Sequence, residues 1–296
     1  MKPPLIVHDV AGVRQWRTDL QAREGGRTGT VGFVPTMGAL HDGHLSLMRA
    51  ARESCDHVVV SIFVNPTQFG PNEDFDQYPR DVDGDVAACA AAGVDLVWFG
   101  DRTELYPPGF ATQVELPALA AELCGRGRPG HFAGVALIVL KLWQVVAPDR
   151  AFFGWKDYQQ FVILQQLARD LHLCVDVVGA PIVREKSGLA MSSRNVRLSE
   201  LGRTAAAVLH QALSAARDRF GAGDCETRSL VHAALELILA EPRVELEYLE
   251  VVHPESLQPL TEVASDAVGI AAVIAVAARV EGVRLIDNIF LQGNGA

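Results

Sequence analysis

Between residues 30 and 179 the chain alternates short apolar, β-branched runs with segments of helical period, and this alternation restricts the fold more than any other feature. Residues 30–35 read as a buried strand and 45–54 as a helix; 57–64 form a run of the continuous apolar kind that parallel sheets bury on both faces. The pattern repeats with a helix over 81–92, a strand over 94–99, an apolar helix over 132–146, a short strand over 151–154, a helix over 158–171 and a strand over 173–179. The spacing predicts an α/β fold, a Rossmann-like, doubly wound parallel sheet.

Past Pro181 the texture changes. Residues 201–220 and 227–239 read as two helices, and 244–252 and 270–280 as β-like runs. The expected division is a larger Rossmann-like domain over 1–182, binding nucleotide and substrate, and a smaller α+β C-terminal lid domain over 183–296. With 296 residues, 49% of them apolar, the chain can bury a core of that size. Five scattered cysteines, Cys55, Cys89, Cys124, Cys174 and Cys225, lack metal or redox spacing and suit a reducing, cytoplasmic setting. The first residues carry no apolar stretch of signal-peptide length, and Lys141 or Arg279 interrupts the longest apolar segments, so no membrane partner is expected. A formal charge of −10 disfavours a nucleic-acid surface.

Such a charge would also repel a phosphorylated substrate at long range, so positive groups must be concentrated locally. Pro35-Thr36-Met37-Gly38-Ala39-Leu40-His41-Asp42-Gly43-His44 follows a β-like run and opens a helical one. It can bring main-chain N–H groups, a helix N-terminus and two imidazoles to the phosphates of ATP. His41 and His44 lie three apart, on one side of a helix that begins at Asp42 or Gly43. Met191-Ser192-Ser193-Arg194-Asn195 adds hydroxyls and a guanidinium, and Lys156, one of only four lysines, opens a helical segment. Two cations from Lys156 and Arg194 would stabilise charge growing on a leaving pyrophosphate. The two motifs are expected to serve one nucleotide. Asn65-Pro66-Thr67-Gln68 follows a predicted strand end, where α/β sheets bind ligands.

These segments, with Ser61-Ile62-Phe63-Val64 before Asn65, Arg128-Pro129-Gly130-His131-Phe132, Lys156-Asp157-Tyr158-Gln159-Gln160 and Arg284-Leu285-Ile286-Asp287-Asn288, occur in one order almost end to end. In that order the chain resembles the family of AMP-forming pantoate–β-alanine ligases, the pantothenate synthetases. The resemblance implies that ATP and pantoate give a pantoyl adenylate and pyrophosphate, after which β-alanine displaces AMP. It implies that His44 aids the leaving pyrophosphate and His41 shares phosphate binding, that Gln68 and Gln160 hold pantoate, and that the main chain of Val183 meets adenine. Gly154-Trp155-Lys156-Asp157 belongs to the ATP site on the same grounds. A homodimer is implied as well.

Other readings come from the residues. Pantoate's geminal methyls need an apolar wall, for which Pro35, Met37 and the face of residues 135–139, including Val139, are candidates. Arg128 and His131 are placed to cover the pocket mouth or clamp a carboxylate. The chain departs from the family pattern at Trp155, where many members carry Glu, and at Gly84 and Ala88, where some carry a metal-region acid and glutamine. Asp85 remains as a Mg²⁺ neighbour, with Mg²⁺ held by ATP and water as the alternative. Lys141, inside an apolar helix, either snorkels or turns inward. The His-X-Gly-His pattern is shared with other nucleotidyltransferases, so AMP transfer to a phosphate ester stands as a second reading and an inactive nucleotide-binding paralogue as a third.

Overall fold

The apolar runs of the first half form one parallel sheet. The structure, a computed structural model, describes residues 3–23, 29–70 and 73–295. Met1 and Lys2, in the stretch read for a signal peptide, lie outside the described residues. In chain order the elements begin β1 Leu5–Val7, α1 Val10–Arg23, β2 Val31–Thr36, α2 Asp42–Ser54, β3 His57–Ile62, α3 Val82–Ala91 and β4 Leu96–Phe99. One-turn helices α4 Arg102–Leu105, α5 Pro117–Ala120 and α6 Cys124–Gly127 precede α7 His131–Val146, β5 Arg150–Gly154, α8 Tyr158–Asp170 and β6 Asp176–Ala180. The chain ends with α9 Glu200–Ala206, α10 Val208–Gly221, α11 Thr227–Leu239, β7 Val244–Val252, β8 Ile270–Val280 and β9 Val283–Gln292.

By their contacts the residues divide into two units. The first comprises Met1–Ala120, Arg128–Trp155 and Gln160–Pro181; the second comprises Ala121–Gly127, Lys156–Gln159 and Ile182–Ala296. In the first, six parallel strands run in the order β1-β4-β3-β2-β5-β6. Side chains alternate across each strand, so a sheet covered on both faces needs apolar residues at nearly every position. β2 and β3 meet this: Val34, Val58 and Val60 pack with Leu47, Met48 and Ala51 of α2, and the alternate residues Phe33 and Val59 are also buried. Each such side chain contributes roughly 1.5–3 kcal/mol relative to exposure. The Rossmann-like expectation holds, with an added edge strand. β1 and α1 escaped the sequence reading because β1 has three residues and α1 buries little beyond Val13 and Leu20.

The second unit carries an antiparallel sheet in the order β7-β8-β9, packed against α10 and α11 through Leu209, Leu213, Leu230, Ile238, Ile274 and Val276. Residues 201–220, read as one helix, form two, because the Ala207 N–H is shared between the Arg203 and Thr204 carbonyls at 3.3 Å each and the helix tightens there. The β-like runs read from the sequence end at 280, but a two-residue turn at Glu281 (φ 53°) and Gly282 (φ 76°) returns the chain as β9. β9 was hidden by polar residues in its middle, Asp287 and Asn288, which the structure buries. Among the described residues no helix is long and apolar enough to cross a membrane.

Candidate active site

The strand order reverses between β2 and β5, which pair directly through Gly32 with Arg150 and Phe33 with Ala151. The crevice beyond the carboxyl ends of strands flanking such a reversal is where open α/β sheets bind ligands. The carboxyl end of β2 leads into Met37 and Gly38, and that of β5 into Trp155. Pro35 lies within β2, opposite Ser61 of β3.

The loop after β2 is held in a conformation that its residues alone would not choose. Gly38 has φ +82°, and a Cβ there would lie 2.8 Å from Asp85 Oδ2 and 3.1 Å from an Ile62 methyl. Ala39 has φ 50°, a left-handed value that costs a residue with a side chain about 1 kcal/mol or more. Asp85 holds it: its carboxylate, 3% exposed, accepts from Ala39 N–H at 2.9 Å and Leu40 N–H at 2.7 Å. Burial pushes the Asp85 pKa up, against the opposing pull of these main-chain donors. Asp85, read as a Mg²⁺ neighbour, thus anchors the loop with one hydrogen bond to each oxygen. No group of three or more His, Cys, Asp or Glu side chains able to hold a metal ion forms among the described residues.

The two histidines open α2 as a reciprocal cap. His41 Nδ1 accepts from the Gly43 N–H at 3.1 Å, and the His41 N–H donates to His44 Nδ1 at 3.3 Å. Because both Nδ1 atoms face main-chain donors, each neutral ring carries its proton on Nε2. The rings lie 4.1 Å apart between centroids. Asp42 is the first residue of α2 and adds negative charge to its first turn. The segment therefore presents a helix N-terminus with paired imidazoles of one tautomer.

Gln68 ends a one-turn 3₁₀ helix, Pro66–Gln68, that Asn65 caps. Its Nε2 lies 3.1 Å from Met37 Sδ, and its Oε1 accepts from Asn65 Nδ2 at 3.1 Å, so Met37, Asn65 and Gln68 are brought together. Arg128 and His131 do not stand open as a carboxylate clamp. Arg128 makes a bidentate pair with Glu73, with both bonds 2.6 Å long, and its Nη1 meets His131 Nε2 at 2.9 Å. With Nε2 accepting from Arg128, His131 Nδ1–H donates to the Gln68 carbonyl at 2.6 Å. Burial raises the Glu73 carboxyl, but the Arg128 guanidinium, with the Gly70 N–H and His131, outweighs it and the pKa is lowered. Gln160 is half-buried in the first turn of α8, and Val139 is buried within α7.

Gly154 has open space where a Cβ would stand, and the Trp155 indole lies against the Gly179 backbone, where a Cβ would approach Nε1 to 1.9 Å. The indole thus packs onto β6.

In the second unit, residues 182–195 fold as a short hairpin. Arg184 bridges Ala190, the Val183 carbonyl accepts from the Met191 N–H at 2.9 Å, and Gly188 (φ +92°) makes the turn. Ser192 caps the following 3₁₀ turn, Ser193–Arg197, its hydroxyl accepting from the Arg194 N–H at 3.3 Å. Asn195, 3% exposed, donates to Glu185 Oε1 at 2.8 Å and to the Ala190 carbonyl at 3.1 Å. Lys156 lies in the 3₁₀ turn Trp155–Asp157, its Nζ 3.7 Å from Asp157 Oδ2.

Sequence reasoning missed what anchors these two segments. Arg184 forks onto Asp287 at 2.6 and 2.9 Å, and Asn288 Nδ2 donates to the Lys156 carbonyl at 3.0 Å. Both anchors lie in the middle of β9, and the signal was two polar residues inside an apolar run. Gln159, beside Gln160, is buried: its amide accepts from the Cys124 N–H at 3.0 Å and donates to the Glu122 carbonyl at 2.7 Å.

A parallel sheet whose switch-point loop opens a helix with paired imidazoles defines an enzyme of the Rossmann-like α/β class. Residues 5–290 match the family model described as pantoate-beta-alanine ligase. The pantothenate synthetase of Chloroflexus aurantiacus is 47% identical over 290 residues, covering 98% of this chain and 99% of that one. The crystal structure of pantothenate synthetase from Thermus thermophilus matches with TM-score 0.89 and 46% identity, over 97% of this chain and 99% of that chain. A pantoate-beta-alanine ligase from Francisella tularensis, crystallised with beta-gamma ATP and beta-alanine, matches with TM-score 0.77 and 32% identity, over 97% and 98% of the two chains. The chain belongs to the pantoate–β-alanine ligase family, and its activity is the ATP-dependent condensation of pantoate with β-alanine. That activity displaces the readings as a phosphate-ester nucleotidyltransferase and as an inactive paralogue.

Proposed function

We propose that condensation proceeds through a pantoyl adenylate formed at the crevice between β2 and β5. A pantoate carboxylate oxygen attacks the α-phosphorus of ATP, and the bond to the β-phosphate oxygen breaks, releasing pyrophosphate. The β-alanine amine then attacks the acyl carbon; it loses a proton as the acyl C–O bond breaks and AMP departs. The observation that carries this reading is the histidine cap of α2. Its tautomer places an N–H donor on each Nε2, beside the positive end of a helix, where charge on phosphate oxygens is stabilised.

In this proposal His44 stabilises the leaving pyrophosphate and His41 shares the phosphates, joined by main-chain N–H groups of the Met37–Gly43 loop. Lys156, Arg194, Ser192 and Ser193 act on the same triphosphate, with the second unit closing as a lid. Gly154, Trp155, Asp157, Met191 and the Val183 main chain line the adenosine side. Gln68 and Gln160 hold pantoate, with Pro35, Met37 and Val139 as apolar wall. β-Alanine, seen with an ATP analogue in the Francisella relative, follows as the second substrate. Mg²⁺ accompanies ATP, held by its phosphates and water, with Asp85, whose two oxygens each accept one loop N–H, as its neighbour. The working form is a cytoplasmic homodimer, which light scattering tests.

Exchange of labelled pyrophosphate into ATP is the direct test. It should require pantoate and proceed without β-alanine. Exchange that appears only when β-alanine is added would exclude the adenylate.

A further inference from the structure

We propose that Tyr106, held by Lys141, is a positioning residue that presents the amide nitrogen of Gln68 to pantoate; this rests on Gln68 being a pantoate contact.

The orientation of the Gln68 amide follows from two main-chain groups of unambiguous polarity. The Thr67 N–H can only donate, and it faces Asn65 Oδ1 at 3.4 Å; the Gly134 carbonyl can only accept, and it lies 3.1 Å from Asn65 Nδ2. Asn65, 1% exposed, therefore points its nitrogen toward Gln68 and its oxygen away. Its N–H meets Gln68 Oε1 at 3.1 Å, which leaves the Gln68 nitrogen on the side of Met37, 3.1 Å from its Sδ. A thioether is a weak acceptor, so that donor is readily transferred to a hydroxyl or carboxylate oxygen of a hydroxy acid.

Tyr106 supplies the shortest contact on the other side of Asn65. Its hydroxyl donates to Asn65 Oδ1 at 2.9 Å and lies 3.2 Å from Thr67 Oγ1, which itself donates to Asn65 Oδ1 at 3.0 Å. Lys141 in turn fixes Tyr106. Its ammonium donates to the Leu105 carbonyl, immediately before Tyr106, and stands 4.1 Å from the Phe110 ring centroid and 5.2 Å from that of Tyr106. Phe110 meets Tyr106 edge to face at 5.3 Å, and Phe63 stacks on it at 6.5 Å. A lysine that merely escaped an apolar helix would extend into water. This one is bound to a carbonyl and two rings, and burial lowers its pKa. The path from Lys141 through Tyr106 and Asn65 ends at the Gln68 nitrogen.

The test is steady-state kinetics on the full chain with Tyr106→Phe, Lys141→Met, Lys141→Arg and Gln68→Ala. Tyr106→Phe removes one hydroxyl and should raise the pantoate KM roughly three- to tenfold, with the ATP KM unchanged and the thermal midpoint lowered by no more than the loss of one intramolecular hydrogen bond. Lys141→Met should move the pantoate KM in the same direction, and Lys141→Arg, which keeps a cation over Phe110, should restore it. In a Gln68→Ala background, Tyr106→Phe should have no further effect. An unchanged pantoate KM in Tyr106→Phe, or an equal effect with and without Gln68, overturns the positioning role while leaving Gln68 as a substrate contact. An unchanged pantoate KM in Gln68→Ala instead rejects the substrate assignment of Gln68, and the positioning role with it.

Discussion

The carboxylate of Asp85, on α3, holds the main chain of Ala39 in a left-handed turn by accepting its N–H at 2.9 Å. The second oxygen takes the Leu40 N–H at 2.7 Å, so one buried side chain sets the entry to α2 and its two histidines. Asp85→Asn replaces one acceptor by a donor facing an N–H. We expect a loss of about 1–3 kcal/mol in stability by urea denaturation, together with slower pantoate-dependent exchange. Unaltered stability would show that the carboxylate does not hold the loop.

His41 does two things that substitution can separate. His41→Ala removes an N-cap acceptor and should cost about 1 kcal/mol of stability as well as activity. His41→Asn keeps a cap while losing the imidazole, so it should melt near the parent and still lose adenylation. If both variants lost stability equally, the cap seen at Gly43 would have no energetic weight.

His44→Ala and Lys156→Ala should each slow adenylation by roughly 10²-fold, the scale of one preorganised donor lost at a developing charge. Single-turnover pyrophosphate release reads this, and a parental rate in either variant removes that residue from the mechanism.

Gly134 lets α7 approach the turn that carries Gln68. A Cβ at 134 would stand 2.3 Å from the Thr67 carbonyl oxygen and 2.8 Å from Gln68 N, both main-chain atoms that cannot swing aside. Gly134→Ala should destabilise by about 1–3 kcal/mol, the range for overpacking, and raise the pantoate KM more than the ATP KM. Equal changes in the two constants would argue against a local effect on Gln68.

His210 lies beneath the turn of the 182–195 hairpin, its Nδ1 2.8 Å from where a Cβ at Gly188 would stand. Burial lowers its pKa below 6.5, Arg184 and Arg217 add to the fall, and Asp287 opposes it. A histidine with a depressed folded pKa binds fewer protons folded than unfolded. Its stabilising contribution is therefore complete above pH 6.5 and is lost as pH falls from there through the lowered value. His210→Gln should flatten stability across that window. An identical pH profile in the variant would remove His210 as the cause.

The candidate site was legible as a segment because its features are local. The loop from Pro35 to His44 bears its glycines, its helix start and its histidines within ten consecutive residues, and a strand pattern precedes it. The parallel sheet was legible because burial on both faces demands unbroken apolar runs. By contrast, Arg128 and His131 looked like free ligands for a substrate carboxylate, since nothing nearby in sequence announces Glu73 as their partner. Lys141 was undecided for the same reason: its partners, at Leu105, Tyr106 and Phe110, lie some thirty residues away. β9 was overlooked because polar anchors in its middle break the alternation expected of a strand.

The order of residues by itself determined most of the strands and helices of the parallel sheet and the helix start at His41, because periodicity, glycine and capping act over a few neighbouring residues. Tertiary structure alone decided how the Gln68 amide is turned. The facing of the Gln68 amide depends on Asn65, which is itself oriented by the Gly134 carbonyl of a helix far along the chain, whereas the proton positions on His41 and His44 follow from capping contacts two and three residues apart. A hydrogen bond needs its partner at about 3 Å, and only folding brings such partners within reach.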